Sequence, residues 1–398
     1  MKILVINTGS SSIKYELFQM PNQSNIASGL LERIGEKKSR LSHNTGDLEK
    51  PMVIEKPVKD HEVGMKEIVE LLTDKTIGVI KHPSEISAIG HRIVHGGEAF
   101  KAPTVIDEEV IEAIKEHIPL APLHNPANLI GIETASSLFQ DVMNVGVFDT
   151  AFHQSLLPHS FHYAIPNSYY QKLKIRRYGF HGISHGYVTK KTAAYLGKPV
   201  DSVNLITAHL GNGASMCAIK NGKSVDTSMG MTPLEGLIMG TRSGDIDPAI
   251  HFYLADHSEL EFHEIDELLN KESGLKGLVG INDMRDIIKR KHDGDENAIL
   301  AIDMYTYRIK KYIGSYFAVL GGVDAIVFTA GIGENSADVR ELSLKGMEEM
   351  GISIDKDKNN SSKDGIFEIQ DSKSRIKVLV VPTDEELEIA LQTYDIIA

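Results

Sequence analysis

Ile3-Leu4-Val5-Ile6-Asn7-Thr8-Gly9-Ser10-Ser11-Ser12-Ile13-Lys14-Tyr15-Glu16-Leu17 sets the architecture. A short apolar run ends in a turn-rich Thr-Gly-Ser-Ser-Ser and returns with alternating apolar and polar residues, which predicts strand, tight turn, strand. Farther along, Asn204-Leu205-Ile206-Thr207-Ala208 leads into His209-Leu210-Gly211-Asn212-Gly213. The strand-like Ala214-Ser215-Met216-Cys217-Ala218-Ile219 follows and ends at Lys220-Asn221-Gly222-Lys223. Each unit puts a polar residue at a strand end (Asn7, His209), a glycine two residues on, and a serine on the return strand. The pattern suggests a duplicated domain with one glycine-bearing hairpin per copy, although two unrelated hairpins would produce the same letters.

Helices punctuate the rest. Asn125-Pro126 reads as an N-cap followed by proline at the first helical position, and Asp247-Pro248 repeats it. Ser336 to Met350 carries helical apolar spacing and stops at Gly351. Thr383-Asp384-Glu385-Glu386 reads as a capping box after the buried-strand run Val378 to Val381. Gly35 to Gly64 and Lys356 to Arg375 are polar and read as surface excursions without chemistry. Strands alternating with helices in two copies indicate an α/β protein of two similar domains.

The chain has 398 residues, more than one core usually organises, with 41% hydrophobic and 24% charged residues. A net charge of −13 argues against nucleic acid as a partner. One cysteine, Cys217, excludes an intramolecular disulfide, fits a reducing compartment and reads as buried filler. No run is long and apolar enough for a membrane span, and the apolar N-terminal run is too short for a signal-peptide core, so a cytoplasmic protein is expected.

An acidic protein that binds anions must concentrate positive charge locally. Three glycine turns, at residues 7–14, 209–213 and 331–336, offer backbone N–H groups to phosphate oxygens, the third running into a helix N-terminus. None has the spacing of a Walker loop or a dinucleotide fingerprint. Arg92 in His91-Arg92-Ile93-Val94-His95-Gly96-Gly97 and Arg242 in Gly240-Thr241-Arg242-Ser243-Gly244-Asp245 suit a carboxylate or phosphoryl group, or else a structural salt bridge. His91 and His95 lack the context of a zinc helix. Asp149 closes the strand-like Val145 to Phe148, where α/β sheets hold ligands. His181 precedes a predicted helix, and Glu385 in a first helical turn is also explained by the helix dipole.

Residues 6–14 and Gly90 to Gly97 resemble the two signature segments of the acetokinase family. The resemblance continues through Phe148 to His153, Arg177 to Gly182, Ala208 to Ser215, Met231 to Gly236, Gly240 to Pro248, Phe328 to Asn335 and Pro382 to Leu387, so it spans essentially the whole chain. It implies the duplicated fold shared by acetate and sugar kinases, Hsc70 and actin (ribonuclease H-like), with the nucleotide in an interdomain cleft. The implied domains are 1–149 plus 385–398, and 150–384, the latter with most nucleotide contacts and the interface of a homodimer. The implied activity is reversible transfer of the ATP γ-phosphoryl group to acetate, giving acetyl phosphate and ADP. Mg²⁺ is the implied metal, with Mn²⁺ as a substitute.

By the same resemblance, Asn7 and Glu385 hold the metal and Lys14 lies near the ATP phosphates. Arg92 takes the acetate carboxylate, with Val94, Leu123, Phe180 and Pro233 around its methyl group. His181 and Arg242 stabilise the transition state, and Asp149 is the essential acid. Nucleotide contacts fall on His209, Leu210, Gly211, Asn212 and Gly213, on Asp283, Met284 and Arg285, and on Gly331, Ile332, Gly333, Glu334 and Asn335. Ile183 stands where threonine is expected, and Met284 where phenylalanine also occurs. Acetate is already ionised at neutral pH and needs no general base, so Asp149 reads as an orienter of metal or arginine. A phospho-Glu385 route would use the metal ligand as nucleophile, so direct transfer is favoured. The rivals are a propionate or other short-chain acyl kinase, and a non-catalytic ATP-binding switch of the Hsc70 or actin type.

Overall fold

β1 (Lys2–Gly9) and β2 (Ser12–Gln19) pair antiparallel with Gly9 opposite Ser12, so Ser10 and Ser11 make the whole turn. In β2, Ile13, Tyr15 and Leu17 are buried while Lys14 and Glu16 lie on the other face. In β1, Ile3 to Ile6 are all buried, as befits a strand covered on both sides. The computed structural model describes residues 1–398 except 47, 123 and 362. The chain divides into two compact units, Met1–Phe152 with Asp384–Ala398, and His153–Thr383.

Among the described residues the first unit adds β3 (Ser24–Glu32), β4 (Ser39–Thr45), β5 (Met52–Lys56), β6 (Ile86–Ile93), β7 (Thr104–Val105) and β8 (Met143–Phe148), in the sheet order β5-β4-β3-β2-β1-β6-β8-β7. The second carries β9 (Leu205–Leu210), β10 (Ala214–Lys220), β11 (Lys223–Thr227), β12 (Ala325–Thr329), β13 (Phe367–Glu368) and β14 (Lys377–Val380), in the order β11-β10-β9-β12-β14-β13. One pattern occurs twice. A three-stranded antiparallel meander ends on β1 or β9, and two parallel strands follow on its other side, β6 and β8 or β12 and β14. The two glycine hairpins therefore hold equivalent places, which answers the question the letters left open.

In the first unit, helices cover both faces of the central strands. The helix Asn125–Leu138 approaches so closely that a Cβ on Gly131 would stand 2.1 Å from Thr8 Oγ1. On the opposite face the helix Glu385–Ile397 lies on Gly90, where a Cβ would meet Thr393 Oγ1 at 2.5 Å. In the second unit the long helix Glu296–Leu320 buries Ala298, Ile302, Tyr305, Ile309, Ile313 and Tyr316 at helical spacing and packs on β9 and β10.

Several sequence expectations are corrected. Gly35 to Gly64 is no excursion, because it supplies β4 and β5, and polar residues share its inward positions with Leu41 and Val58: Ser39 and His43 are buried, the latter bonded through Nδ1 to Tyr15. Lys356 to Arg375 likewise buries Asn359, Phe367 and Ile369. The helix predicted from Ser336 to Met350 is interrupted: it ends at Leu344, Gly346 adopts φ 79°, and a 3-10 turn Glu348–Met350 follows. Asn125 does not cap its helix. Its fully buried amide instead binds the backbone N–H and carbonyl of His95 at 3.2 and 3.0 Å. Asp384, not Thr383, caps the last helix by accepting from Leu387 N at 2.9 Å. Residues 330–335 are already helical, so the third glycine turn is the first turn of a short helix directly after β12.

Candidate active site

In the first unit β1, β6 and β8 run parallel, and their C-terminal ends deliver Asn7, Arg92 and Asp149 to one edge. Asp149 is 1% exposed, and its backbone N–H is held by Ile93 O at 2.9 Å. Arg92 reaches it with both arms of its fork, Nη2 to Oδ2 at 2.5 Å and Nε to Oδ1 at 3.4 Å. The structural salt bridge is therefore present, and it leaves the Nη1 edge of the guanidinium unused by Asp149. Burial disfavours the charge on Arg92, but Asp149 and Glu385 more than offset it and raise its pKa.

Glu385 responds to the same charges. Burial raises its pKa against the pull of Arg92, and its Oε1 is buried without a hydrogen-bond partner. An orphaned carboxylate oxygen held beside a cation is the donor a divalent metal would satisfy, and Asn7 offers an uncharged oxygen from the same unit. Among the described residues no group of three His, Cys, Asp or Glu side chains is arranged to hold a metal. Lys14 is partly committed within its own unit, at 2.7 Å from Glu386 and 3.3 Å from Glu16.

In the second unit the hairpin β9–β10 carries residues 211–213 at its tip, with Gly211 N donating to Gly213 O at 3.0 Å. His181 caps the helix Gly182–Tyr195 from a left-handed backbone (φ 56°), a strained conformation for a residue with a side chain. Its ring stacks on His209 at 4.1 Å, and its Nδ1 shares a 2.9 Å hydrogen bond with Ser215 Oγ. Arg242 approaches the same point: a Cβ on Gly213 would lie 3.6 Å from both His181 Nε2 and Arg242 Nη1. Among the described residues Arg242 bonds only neutral acceptors, Pro233 O at 3.2 Å and Met239 Sδ at 3.8 Å, and partial burial lowers its pKa. A half-buried guanidinium not neutralised by a carboxylate is ready for an anion.

Its loop is anchored from afar. Asp245 accepts from Tyr312 Oη at 2.8 Å and from Gly236 N at 2.7 Å, and Arg308 donates to Asp245 O and Gly236 O. Gly240 fits because its Cα lies against Asn212, where a Cβ would meet Oδ1 at 1.9 Å.

Also within this unit, a cavity of about 840 Å³ is lined by residues of all three expected nucleotide segments: Gly211 and Asn212, Asp283 to Arg285, and Gly331, Ile332 and Asn335. Ser336 of the third glycine turn lines it too, and sequence reasoning missed Asn282, Ile288, Ala337 and Asp338. His209, Leu210, Gly213, Gly333 and Glu334 are not on its wall. Leu210 is core, and Glu334 braces the backbone by accepting from Ala330 N at 2.8 Å and Thr383 N at 3.1 Å. Arg285 pairs with Asp283 at 2.6 Å on an exposed rim. Phe180 is buried and Pro233 half-buried in the second unit, Val94 is buried in the first, and Leu123 lies outside the described residues.

Residues 2–391 match the model of the acetokinase family. The chain is 55% identical to an acetate kinase of Nitratidesulfovibrio vulgaris over all of both chains. Its structure resembles that of Porphyromonas gingivalis acetate kinase over all of both chains, with a TM-score of 0.94 at 46% identity. It also resembles a propionate kinase from Francisella tularensis over 99% of each chain, with a TM-score of 0.93 at 41% identity.

The charges around Lys14 generate a pH prediction. Burial pushes the Glu16 carboxyl from 4.5 up to about 7, with Lys14 opposing and Glu386 and Asp384 adding to the rise. Between those values the folded chain binds more protons than the unfolded one, so raising the pH through this window removes stability. In metal-free buffer the unfolding midpoint should fall between about pH 5 and about pH 8, and Glu16→Gln should flatten that fall. Equal slopes for the two proteins in thermal denaturation would disprove the assignment.

Proposed function

We propose that this chain, which belongs to the acetokinase family, transfers the γ-phosphoryl group of ATP to acetate, and back from acetyl phosphate to ADP, by direct in-line displacement. The observation that carries the reading is Arg242, a half-buried guanidinium without a carboxylate partner among the described residues, beside His181 and a glycine turn. A phosphoryl group in flight spreads negative charge over three equatorial oxygens, and preorganised donors lower its energy most. Arg242 and His181 supply that charge and hydrogen bonding. The cavity between residues 211–212, 282–288 and 331–338 takes the nucleotide.

Arg92 offers the acetate carboxylate the part of its fork that Asp149 leaves unused, and Asp149 fixes the arginine's plane. Asp149 is thus a positioning group, since a carboxylate nucleophile has no proton to lose. Asn7 and Glu385 would hold Mg²⁺, which neutralises phosphate charge. Lys14 steers the phosphates, exchanging its contact with Glu386 for them. Membership of the family sets aside the non-catalytic switch. No helix among the described residues is long and apolar enough to cross a membrane. The single cysteine, buried and unpaired, suits a reducing cytoplasm.

A second copy of the chain is the expected partner. Phe252, Tyr253, Phe262, Leu300 and Tyr307 are all more than half exposed on helices of the second unit, and exposed large apolar side chains in this number support a homodimer. Sedimentation should give one species of twice the 43.8 kDa chain mass, and a monomer at micromolar concentration would reject it.

Acyl-hydroxamate formation with ATP and a series of short acids tests the activity. Acetate should give the highest kcat/KM, with propionate lower by the ~1–3 kcal/mol that one methylene commands. Val94→Ala should shift preference toward the longer acid. A higher kcat/KM for butyrate than for acetate would overturn the assignment.

Arg242→Ala and His181→Ala should cripple kcat, by up to the ~10³–10⁵-fold of a phosphoryl-transfer arginine. Arg92→Ala should chiefly raise the KM for acetate, with some loss of kcat from lost orientation. Steady-state kinetics on the three variants decide, and equal, pure KM effects for both arginines would refute the division of roles.

A further inference from the structure

His185 lies one helical turn beyond His181, and a single hydroxyl from the neighbouring strand bridges the two rings. Ser215 Oγ is 2.9 Å from His181 Nδ1 and 2.9 Å from His185 Nε2. The other nitrogen of His185, Nδ1, is 2.7 Å from Thr207 Oγ1. Ser215, His185 and Thr207 are fully buried. β-Pairing places Thr207 opposite Cys217 and Ser215 opposite His209, so β9 and β10 both contribute to the chain.

A serine hydroxyl has one hydrogen, so it must donate to one imidazole while accepting from the other. His185 is held neutral, because burial pushes its pKa well down and the nearby His153 and His209 push the same way. With neutral rings the chain has only two proton arrangements. In one, Thr207 donates to His185 Nδ1, His185 Nε2–H donates to Ser215, Ser215 donates to His181 Nδ1, and the ring hydrogen of His181 sits on Nε2. The reverse leaves Nε2 as a bare lone pair. Nε2 is on the side of Arg242 and Gly213. A lone pair there would repel a phosphoryl oxygen, whereas an N–H would donate to it.

We propose that Ser215 and His185 are positioning residues that fix the ring hydrogen of His181 on Nε2, making His181 a donor to the phosphoryl group without requiring it to be protonated. This rests on the phosphoryl role of His181 in the proposed reaction. The neighbouring nitrogen's hydrogen bond selects a tautomer in the same way at other catalytic and metal-bound histidines.

The test is histidine-ring ¹⁵N NMR and steady-state kinetics on the full-length enzyme, with His181 resonances identified by their loss in His181→Ala. The parent should show the hydrogen on Nε2. Ser215→Ala, the deletion of one oxygen, should lose that preference and lower kcat about 10–100-fold, with the KM for ATP and for acetate within about 2-fold of the parent. Thr207→Val removes a hydroxyl from the same chain but leaves the His185–Ser215 link, and should keep the hydrogen on Nε2. An unchanged His181 tautomer in Ser215→Ala, a retained kcat with raised KM, or equal losses in Ser215→Ala and Thr207→Val would overturn the proposal. Normal kcat in His181→Ala would instead remove the phosphoryl role of His181, and the NMR result would still decide what Ser215 does to the ring.

Discussion

The pairing of β9 with β10 on one edge and β12 on the other is the constraint from which the chemistry of the second unit follows. It fixes the tip, where Leu210 stands opposite Ala214 and Gly211, Asn212 and Gly213 make the turn. It lays Ser215 beside His209 and so brings a hydroxyl within reach of the helix that starts at His181. It also aligns Thr329 with His209, which releases the short helix 330–335 beside the same tip. A shift of one residue would turn every side chain of β10 to the opposite face. The fold and the placement of His181, His209 and Ser215 are therefore specified together.

The first unit uses the same order of strands for a different task. Its hairpin tip carries hydroxyls, and the ends of three parallel strands gather Asn7, Arg92 and Asp149 with Glu385 from the last helix. Here one arginine faces two carboxylates, so the negative charge is in excess and one carboxylate oxygen is left over. In the second unit Arg242 is left without a balance. In the proposed reaction one copy offers a negative atom to a metal, and the other a positive group to an anion. Two copies of one architecture have thus diverged into complementary electrostatic roles.

Much of this was legible in the sequence because the signals are local. The hairpins announce themselves through alternation and glycine, and Arg92, Asp149, His181 and Arg242 lie in compact motifs beside glycines or at strand ends. What was illegible depends on distance along the chain or on polar groups facing inward. Ser39 and His43 made β4 look like a surface segment, although the sheet buries both. Asn125 carries the letters of a helix cap but holds the backbone of His95 instead. The clamp of Arg308 and Tyr312 on Asp245 joins residues more than sixty apart, and no local pattern marks it. The spacing of His181 and His185 was the one available hint of their shared partner, since residues four apart on a helix face the same way.

The isolation of Arg242 has a thermodynamic corollary. Desolvating a cation without a counter-charge costs the folded chain stability that an arriving anion restores. Any phosphate-bearing species that binds the folded form alone raises its melting temperature by mass action, by RT ln(1 + [L]/Kd) at the concentration used. The resistance of this protein to heat is therefore not a fixed property of its sequence. If Arg242 receives a phosphorylated ligand as proposed, that resistance is a readout of site occupancy, rising with the concentration of the ligand and falling when it is drained.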